Sequence, residues 1–325
     1  MAEEQAGEQA GALIVAGPTA SGKSALALSI AAAVRGTIIN ADAMQVYREL
    51  RLLTARPTPA DEALVPHALY GTRPAACAGS VAWWRGAALA AMAAARAAGR
   101  LPILCGGSGM YLTALTGGLA DIPDPGAAAR AEARALLAAL GPDGLHRRLA
   151  EADPATAARL RPSDPQRLAR AWEVWAGTGR GLADWQAAGA GPAEGWRFRA
   201  VLLDPPRPTL RTAIAARFAH MLAAGAVEEV RALLASRLDP ALPAMRAHGV
   251  PELAAHLRGE IGLDEAEARA VGATRRYTRR QATWFRHHRL ATERDTRTIN
   301  ARIGGGEQFS DQDMADLLNF VRGSG

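Results

Sequence analysis

The sequence predicts an α/β protein: a P-loop parallel sheet with helices on both faces, together with a helical insertion domain. Two observations predict this class. Short apolar or β-branched runs near 12–17, 37–41, 101–105 and 199–203 alternate with longer helical patterns. The first run also leads through a glycine-rich loop directly into an apolar-periodic helix.

Composition excludes several classes of protein. The 325 residues are 49% hydrophobic and 22% charged, which is typical of a globular chain. No run approaches the ~18 apolar residues of a membrane span, and the first ten residues are acidic and polar, unlike a secretory signal. Two cysteines are too few for a disulfide framework or a cysteine-based zinc site. We expect a cytoplasmic monomer with no membrane association.

The loop after the first strand carries the strongest motif. GPTASGKS fits G-x-x-x-x-G-K-[ST], in which backbone N–H groups and a lysine hold phosphate oxygens and the last hydroxyl binds Mg²⁺. Lys23 is the only lysine among 38 basic residues, so an ammonium is retained where arginine serves everywhere else. The alternative is a glycine-rich turn with no phosphate role. The predicted diphosphate or nucleotide-binding residues are Gly17, Pro18, Thr19, Ala20, Ser21, Gly22, Lys23 and Ser24.

Acidic residues follow two of the predicted strands. Asp42 ends the second, and because ligands bind at the carboxyl ends of parallel strands, it should lie near the P-loop. There it could act as a general base or reach Mg²⁺ through water, with Ser24 as the direct ligand; the alternative is a helix cap. Asp204, which follows the 200–203 run, is either a Walker-B acid or a turn former before two prolines.

Six segments between about residue 13 and residue 288 carry a further signal. They are GPTASGKS, NADAMQVYREL, PILCGGSGMYLTALTGGL, DPQRLARAWEVWAGTG, RFAHMLAAGAVEEV and RRQATWFRHH. Together, and in this order, they resemble the tRNA dimethylallyltransferase family, also called tRNA isopentenyltransferases or IPP transferases.

The resemblance implies transfer of a dimethylallyl group from dimethylallyl diphosphate to N6 of the adenosine 3′ to the anticodon, with release of pyrophosphate. The P-loop would hold the leaving group with Mg²⁺ as cofactor. Asp42, Lys23 and Ser108 would be the catalytic residues, with Asp42 as the base; Ser108 stands where the family usually has threonine.

The resemblance also implies contacts with the anticodon stem-loop of tRNA. Independently, the 264–289 segment is rich in arginine and has no acid beyond residue 270, which favours a polyanionic partner. The alternative for such a charge run is a solvated helix face. The predicted tRNA-binding residues are Asp42, Ala43, Met44, Gln45, Ser108, Arg130, Gln166, Arg167, Leu168, Ala169, Arg170, Arg246, Arg279, Arg280, Gln281 and Arg286.

Composition shifts predict the domain organisation. Prolines break the chain after residue 121, and the next segment reads as short helices without a strand pattern. We expect a discontinuous catalytic core at 1–121 and 197–303 with a basic C-terminal helix, a helical insertion at 122–196 that contacts the anticodon loop, and a weakly ordered tail at 304–325.

Two other functions share the phosphate-binding loop. A P-loop kinase of a small molecule would consume a nucleoside triphosphate and would have no use for the basic helix. An RNA-binding NTPase switch would need a Walker-B acid, for which only Asp204 offers itself.

Overall fold

Six strands form one parallel sheet in the part of the chain that the computed structural model describes, residues 10–189, 191–304 and 310–323. Their order is β3-β2-β4-β1-β5-β6, and every pairing is parallel. The strands are Ala10–Ala16 (β1), Gly36–Asn40 (β2), His67–Ala68 (β3), Leu101–Gly106 (β4), Trp196–Leu203 (β5) and Thr296–Ile299 (β6).

Helices cover both faces of the sheet, which confirms the predicted fold class. Alternate residues of β1 enter two separate cores: Ile14 packs into one cluster, while Leu13 and Val15 pack into the other. A strand buried on both sides must be apolar throughout, which is why its sequence reads as a continuous run. The helices are Lys23–Val34 (α1), Pro59–Leu64 (α2), Val81–Ala97 (α3), Gly109–Thr116 (α4), Gly126–Ala152 (α5), Pro154–Ala157 (α6), Pro165–Thr178 (α7), Leu182–Ala187 (α8), Arg207–Ala223 (α9), Ala226–Ala235 (α10), Val250–Leu257 (α11), Leu263–His287 (α12) and Asp311–Arg322 (α13).

Three central strands end at the residues that the sequence marks as functional. The P-loop follows β1, Asp42 follows β2 by two residues, and Ser108 follows β4 by two residues. Parallel neighbours bring these ends to one edge of the sheet, where open α/β proteins bind their ligands.

The chain divides into two units, Met1–Thr116 with Ala193–Gly325, and Gly117–Pro192. The second unit holds α5 to α8 around a core of its own that includes Leu145, Leu168 and Trp172. Trp172 also donates its indole N–H to Glu132 at 3.0 Å. Gly141, at φ 65° and before a proline, bends α5 in its middle. This unit spans Gly117–Pro192, whereas the helical insertion was expected at 122–196.

We expected a weakly ordered tail at 304–325. This expectation needs correction, because Asp311–Arg322 forms a helix. Ser310 caps it, since its hydroxyl accepts the Asp313 N–H at 3.1 Å and the Asp313 carboxylate accepts the Ser310 N–H at 3.2 Å. Leu317 and Val321 are buried in the same core as α1. The amphipathic pattern of this helix is short and follows the glycines at 304–306, so the sequence did not predict it. Residues 305–309 and 324–325 lie outside the described residues.

None of the helices in the described residues is both long enough and apolar enough to cross a membrane.

Candidate active site

The P-loop is held in shape by left-handed residues and by a segment from the other end of the chain. Gly22 caps α1 at φ 91°, and a Cβ there would meet the Ile303 carbonyl oxygen at 2.0 Å, so only glycine fits. The Ala20 and Ser21 carbonyls accept hydrogen bonds from Arg302 Nε and Ile303 N, each at 3.0 Å. These two carbonyl oxygens, which would repel a phosphate, therefore already accept hydrogen bonds within the protein.

Lys23 opens α1 with its ammonium folded back over the loop. Its Nζ lies 3.5 Å from the Pro18 carbonyl oxygen. Burial lowers the pKa of Lys23, and the negative charge of Asp42 opposes that shift. A partly desolvated ammonium interacts with phosphate more strongly than one in open water. Ser24 follows it at the exposed start of the helix.

Asp42 is oriented by short local hydrogen bonds. Its Oδ1 accepts the Met44 N–H at 2.9 Å, and its own N–H donates to Asn40 Oδ1 at 2.8 Å. The Ser108 hydroxyl accepts the Ala43 N–H at 2.9 Å, which ties the loop after β4 to the loop after β2. Asp42 therefore presents a fixed carboxylate, as a general base requires.

Residues from three of these loops line one cavity of about 310 Å³. The P-loop contributes Thr19, the loop after β2 contributes Asp42, and the loop after β4 contributes Ser108. The cavity is also lined by Ala43, Met44, Leu53, Thr54, Ile214, Arg217, Phe218, Met221, Arg246, Ala247, His248, Thr274, Tyr277 and Arg280. One P-loop residue and a carboxylate thus share this cavity with an apolar wall.

Arg217 is a cavity residue that sequence reasoning did not single out. Burial lowers the pKa of Arg217, and the negative charge of Asp42 opposes that shift. The guanidinium and the carboxylate therefore interact electrostatically. It lies in a segment that matches the family, but one arginine among many carries no individual signal. Its position makes it a second cation beside Lys23.

Tyr277 was also missed. Burial raises the pKa of its phenol to about 12, the charge of Asp42 adds to the shift, and hydrogen bonds with Ser108 and Gln281 act in the opposite direction. The phenol therefore stays neutral and can donate or accept a hydrogen bond on the cavity wall.

Gln281, a predicted tRNA contact, is hydrogen-bonded within the protein. Its side chain is 5% exposed, and its Oε1 accepts the Thr19 N–H at 2.9 Å while its Nε2 donates to the Gly107 carbonyl at 2.9 Å. The amide thus joins α12 to the P-loop and to the loop after β4. Gln45 is similarly engaged, since its Nε2 donates to the carbonyls of Thr54 and Ala55.

The remaining predicted RNA contacts on α12 are exposed. Arg279 and Arg280 project from the helix, and Arg280 also stands 5.6 Å from the Tyr277 ring centroid. Arg286 forms a two-point ion pair with Asp204, with Nε to Oδ2 at 2.9 Å and Nη2 to Oδ1 at 3.2 Å. Asp204 follows β5 as expected, but its partner is this arginine.

The second unit holds five predicted contacts on α7 and one on α5. Gln166 and Arg167 are exposed and Arg170 is half-buried, whereas Ala169 packs against the core and Leu168 is fully buried within it. The Leu168 side chain lies in the core because the apolar side of the amphipathic helix faces inward, and its contact with tRNA stays a prediction.

Arginines of this unit are paired with acids in the free protein. Arg130 bonds to Asp124, Arg167 lies 3.4 Å from Asp164, and Arg170 lies 3.3 Å from Glu173. Such exposed pairs contribute little stability, so a phosphate can replace the carboxylate at small cost.

Comparisons with known proteins agree with this geometry. A family model described as IPP transferase matches residues 45–288. A protein of Gluconacetobacter diazotrophicus named tRNA dimethylallyltransferase is 65% identical over 309 residues, which cover 95% of this chain and 93% of that protein. A protein of the same name from Granulibacter bethesdensis is 61% identical over 311 residues, which cover 96% of this chain and 98% of that protein.

Solved structures give the same result. The full-length tRNA isopentenylpyrophosphate transferase of Bacillus halodurans is 29% identical with a TM-score of 0.67, over 98% of this chain and 96% of that one. A eukaryotic dimethylallyltransferase acting on tRNA, 21% identical, shares the fold with a TM-score of 0.79 over 97% of this chain and 80% of that one. Since the family model matches most of the chain and the relatives are similar along nearly all of it, the chain belongs to the IPP transferase family.

Proposed function

We propose that this protein transfers a dimethylallyl group from dimethylallyl diphosphate to N6 of the adenosine adjacent, on the 3′ side, to the anticodon of tRNA. The observation that carries the proposal is that Asp42, Thr19 of the P-loop and Arg217 line one cavity. Relatives more than 60% identical are named tRNA dimethylallyltransferase. Those names favour prenyl transfer over the small-molecule kinase.

The leaving diphosphate is stabilised by cations and N–H groups that are already in place. Lys23 and Arg217 supply positive charge, and the P-loop amides with the N-terminus of α1 supply hydrogen bonds and a favourable dipole. Charge grows on the diphosphate oxygens as the allylic carbon–oxygen bond breaks. Groups fixed around those oxygens lower that barrier without having to reorganise.

The nucleophile is the exocyclic amine, whose lone pair is delocalised into the adenine ring. As the new bond from N6 to the allylic carbon forms, Asp42 takes a proton from the amine, and the electron pair of the breaking bond leaves with the diphosphate. The Met44 N–H on Oδ1 keeps the carboxylate in one orientation for that transfer. Ser108 and Tyr277 line the same wall and can hydrogen-bond the adenosine.

The donor set fits Mg²⁺ as the cofactor of this reaction. Ser24 is an exposed residue at the start of α1 whose hydroxyl would be the direct ligand, and Asp42 would add a second hard oxygen through water. Mg²⁺ prefers oxygen ligands and is commonly held by one or two protein groups together with substrate phosphates. When bound, it would neutralise part of the charge on the diphosphate.

The partner is tRNA, presented with the target base flipped out of the anticodon loop, because an amine inside a base stack cannot reach a carboxylate in a cavity. Arg246 and Arg280 line the cavity, and arginines of the second unit add backbone contacts. We further propose that the enzyme acts as a monomer in the cytoplasm.

The test is incubation with unmodified tRNA and Mg²⁺, in the presence of either dimethylallyl diphosphate or ATP. Nucleoside mass analysis should show a five-carbon addition to adenosine with the prenyl donor only. Phosphorylation of any substrate by ATP, with the tRNA unchanged, would favour the kinase instead.

A further inference from the structure

A second cavity, of about 250 Å³, is lined by α9 and α12 of the first unit. It neighbours the reaction cavity, because Ile214 lines both, but the two hold different polar residues. Six arginines and a single carboxylate, that of Asp204, line it. The arginines are Arg207, Arg211, Arg275, Arg276, Arg279 and Arg286.

The positive charge around this cavity is largely uncompensated. Asp204 pairs with Arg286, and Arg275 donates to the Arg211 carbonyl at 3.4 Å. The other four guanidinium groups form no ion pair within the described residues, although exposed arginines elsewhere in the chain, such as Arg258 and Arg269, do. Six like charges gathered around one carboxylate predict an anionic ligand.

Thr278 gives an independent indication of a ligand. It lines the cavity and is 4% exposed, and its hydroxyl has no hydrogen-bond partner within the described residues. One turn earlier, the Thr274 hydroxyl makes the usual bond to the Ala270 carbonyl, at 2.9 Å. A buried hydroxyl without a partner is destabilising, so a site that retains one is suited to a ligand oxygen.

The start of α9 adds to the same field. The helix begins at Arg207 and runs for 17 residues, and its first turn borders the cavity through Arg207 and Leu210. The N-terminal end of a helix carries partial positive charge that favours phosphate.

We propose that this cavity is a phosphate-binding subsite that takes a backbone phosphodiester of the tRNA outside the reaction cavity. The inference rests on the proposed function for the identity of the RNA. It assigns a role to Arg207, Arg211, Arg275 and Thr278, none of which is among the contacts expected from the family. An RNA phosphate is favoured over a free anion because two of the lining residues, Arg279 and Arg286 on α12, are predicted contacts of tRNA.

The first test replaces Arg211 by glutamine and measures the Kd for an anticodon stem-loop RNA against salt concentration. We expect affinity about tenfold weaker at low salt, and a slope of log Kd against log salt smaller by about one. Arg96→Gln is the matched control, an exposed arginine on α3 that lines none of the described cavities. Equal affinities and slopes for the two variants would overturn the proposal.

The second test is Thr278→Val, which keeps the shape and removes the hydroxyl. If the hydroxyl bonds a phosphate, RNA affinity falls several-fold while thermal stability is unchanged or higher. A purely structural threonine would leave RNA affinity unchanged, and that result would contradict the proposal.

The source of the phosphate is tested with stem-loops that carry one neutral methylphosphonate linkage at successive positions. One position should weaken binding to the wild type and have no effect on Arg211→Gln. Inorganic phosphate serves as the other arm: a thermal stabilisation lost in Arg211→Gln, together with no methylphosphonate position that weakens RNA binding, would overturn the assignment to RNA. Because binding is measured directly, RNA affinity that depends on Arg211 without prenyl transfer would contradict only the proposed function.

Discussion

Asp42 is the residue on which the proposed chemistry depends most, because it is the carboxylate in the reaction cavity and is held there by the Met44 N–H. We expect Asp42→Ala to lower kcat by ~10²–10⁴-fold through loss of the general base. The Kd for tRNA should rise far less. Single-turnover prenyl transfer and direct RNA binding measure the two effects, with the exposed Glu194→Gln as the control. Equal losses in both would make Asp42 a binding residue and not the base.

Lys23 tests the requirement for a compact charge. Its Nζ approaches the Pro18 carbonyl oxygen at 3.5 Å, and a larger, planar guanidinium does not reproduce the position of this compact ammonium over the loop. We expect Lys23→Arg to reduce prenyl transfer by about 10²-fold or more. Arg35→Lys makes the opposite exchange in an exposed position after α1 and should be neutral. An active Lys23→Arg enzyme would show that charge alone suffices.

Cys105 should be protected from thiol reagents in the folded protein. Burial raises its pKa to about 11, so the thiol is neutral at pH 8 and lacks the reactive thiolate. The exposed Cys77 serves as the internal control. Alkylation at pH 8 followed by mass spectrometry should label Cys77 alone in the native state and both thiols after denaturation. The raised pKa also predicts that stability decreases as pH rises from about 9 to about 11. Rapid native labelling of Cys105 would contradict this environment.

At this scale, sequence and structure agree where a residue type is rare or stands in a motif. Lys23 and Asp42 are marked by the motif and by a strand end, and both lie where expected. Arg217 is not marked, because composition cannot distinguish one half-buried arginine of the cavity from the exposed arginines. Gln281 carries a family signal for RNA but makes internal bonds, which only the fold reveals.

At the scale of elements, α13 contributes to the core beside α1 although it lies near the end of the chain. Leu317 is fully buried against α1, the helix that begins at Lys23. We expect Leu317→Ala to lower the free energy of unfolding by about 2–5 kcal/mol through lost burial and a residual cavity. Chemical denaturation measures the change, and the exposed Asn319→Ala is the control. Equal midpoints for the two variants would mean that the helix does not stabilise the core.

The two edge strands could not be predicted from the sequence. β3 is two residues long, and β6, TRTI, carries no clear apolar pattern because none of its side chains is fully buried. The four inner strands have both faces covered and therefore carry the apolar runs by which they were found. Strand order depends on contacts between distant segments, so it also becomes known only from the structure.

For the whole molecule, a net charge of +6 permits an RNA partner but says nothing of where it binds. The fold gathers arginines on α9 and α12 at one cavity and places others on α5 and α7 of the second unit. The sequence could predict that basic residues matter. It could not predict that several of them are paired with acids in the free protein.

The central claim is that the P-loop of this protein holds a departing diphosphate and transfers no phosphoryl group. The most direct measurement quantifies pyrophosphate and prenylated adenosine in one reaction containing tRNA, dimethylallyl diphosphate and Mg²⁺, with ATP added in a parallel sample. We predict one pyrophosphate for each prenylated adenosine, and no cleavage of ATP when the prenyl donor is omitted. Steady ATP cleavage with unmodified tRNA would contradict the account.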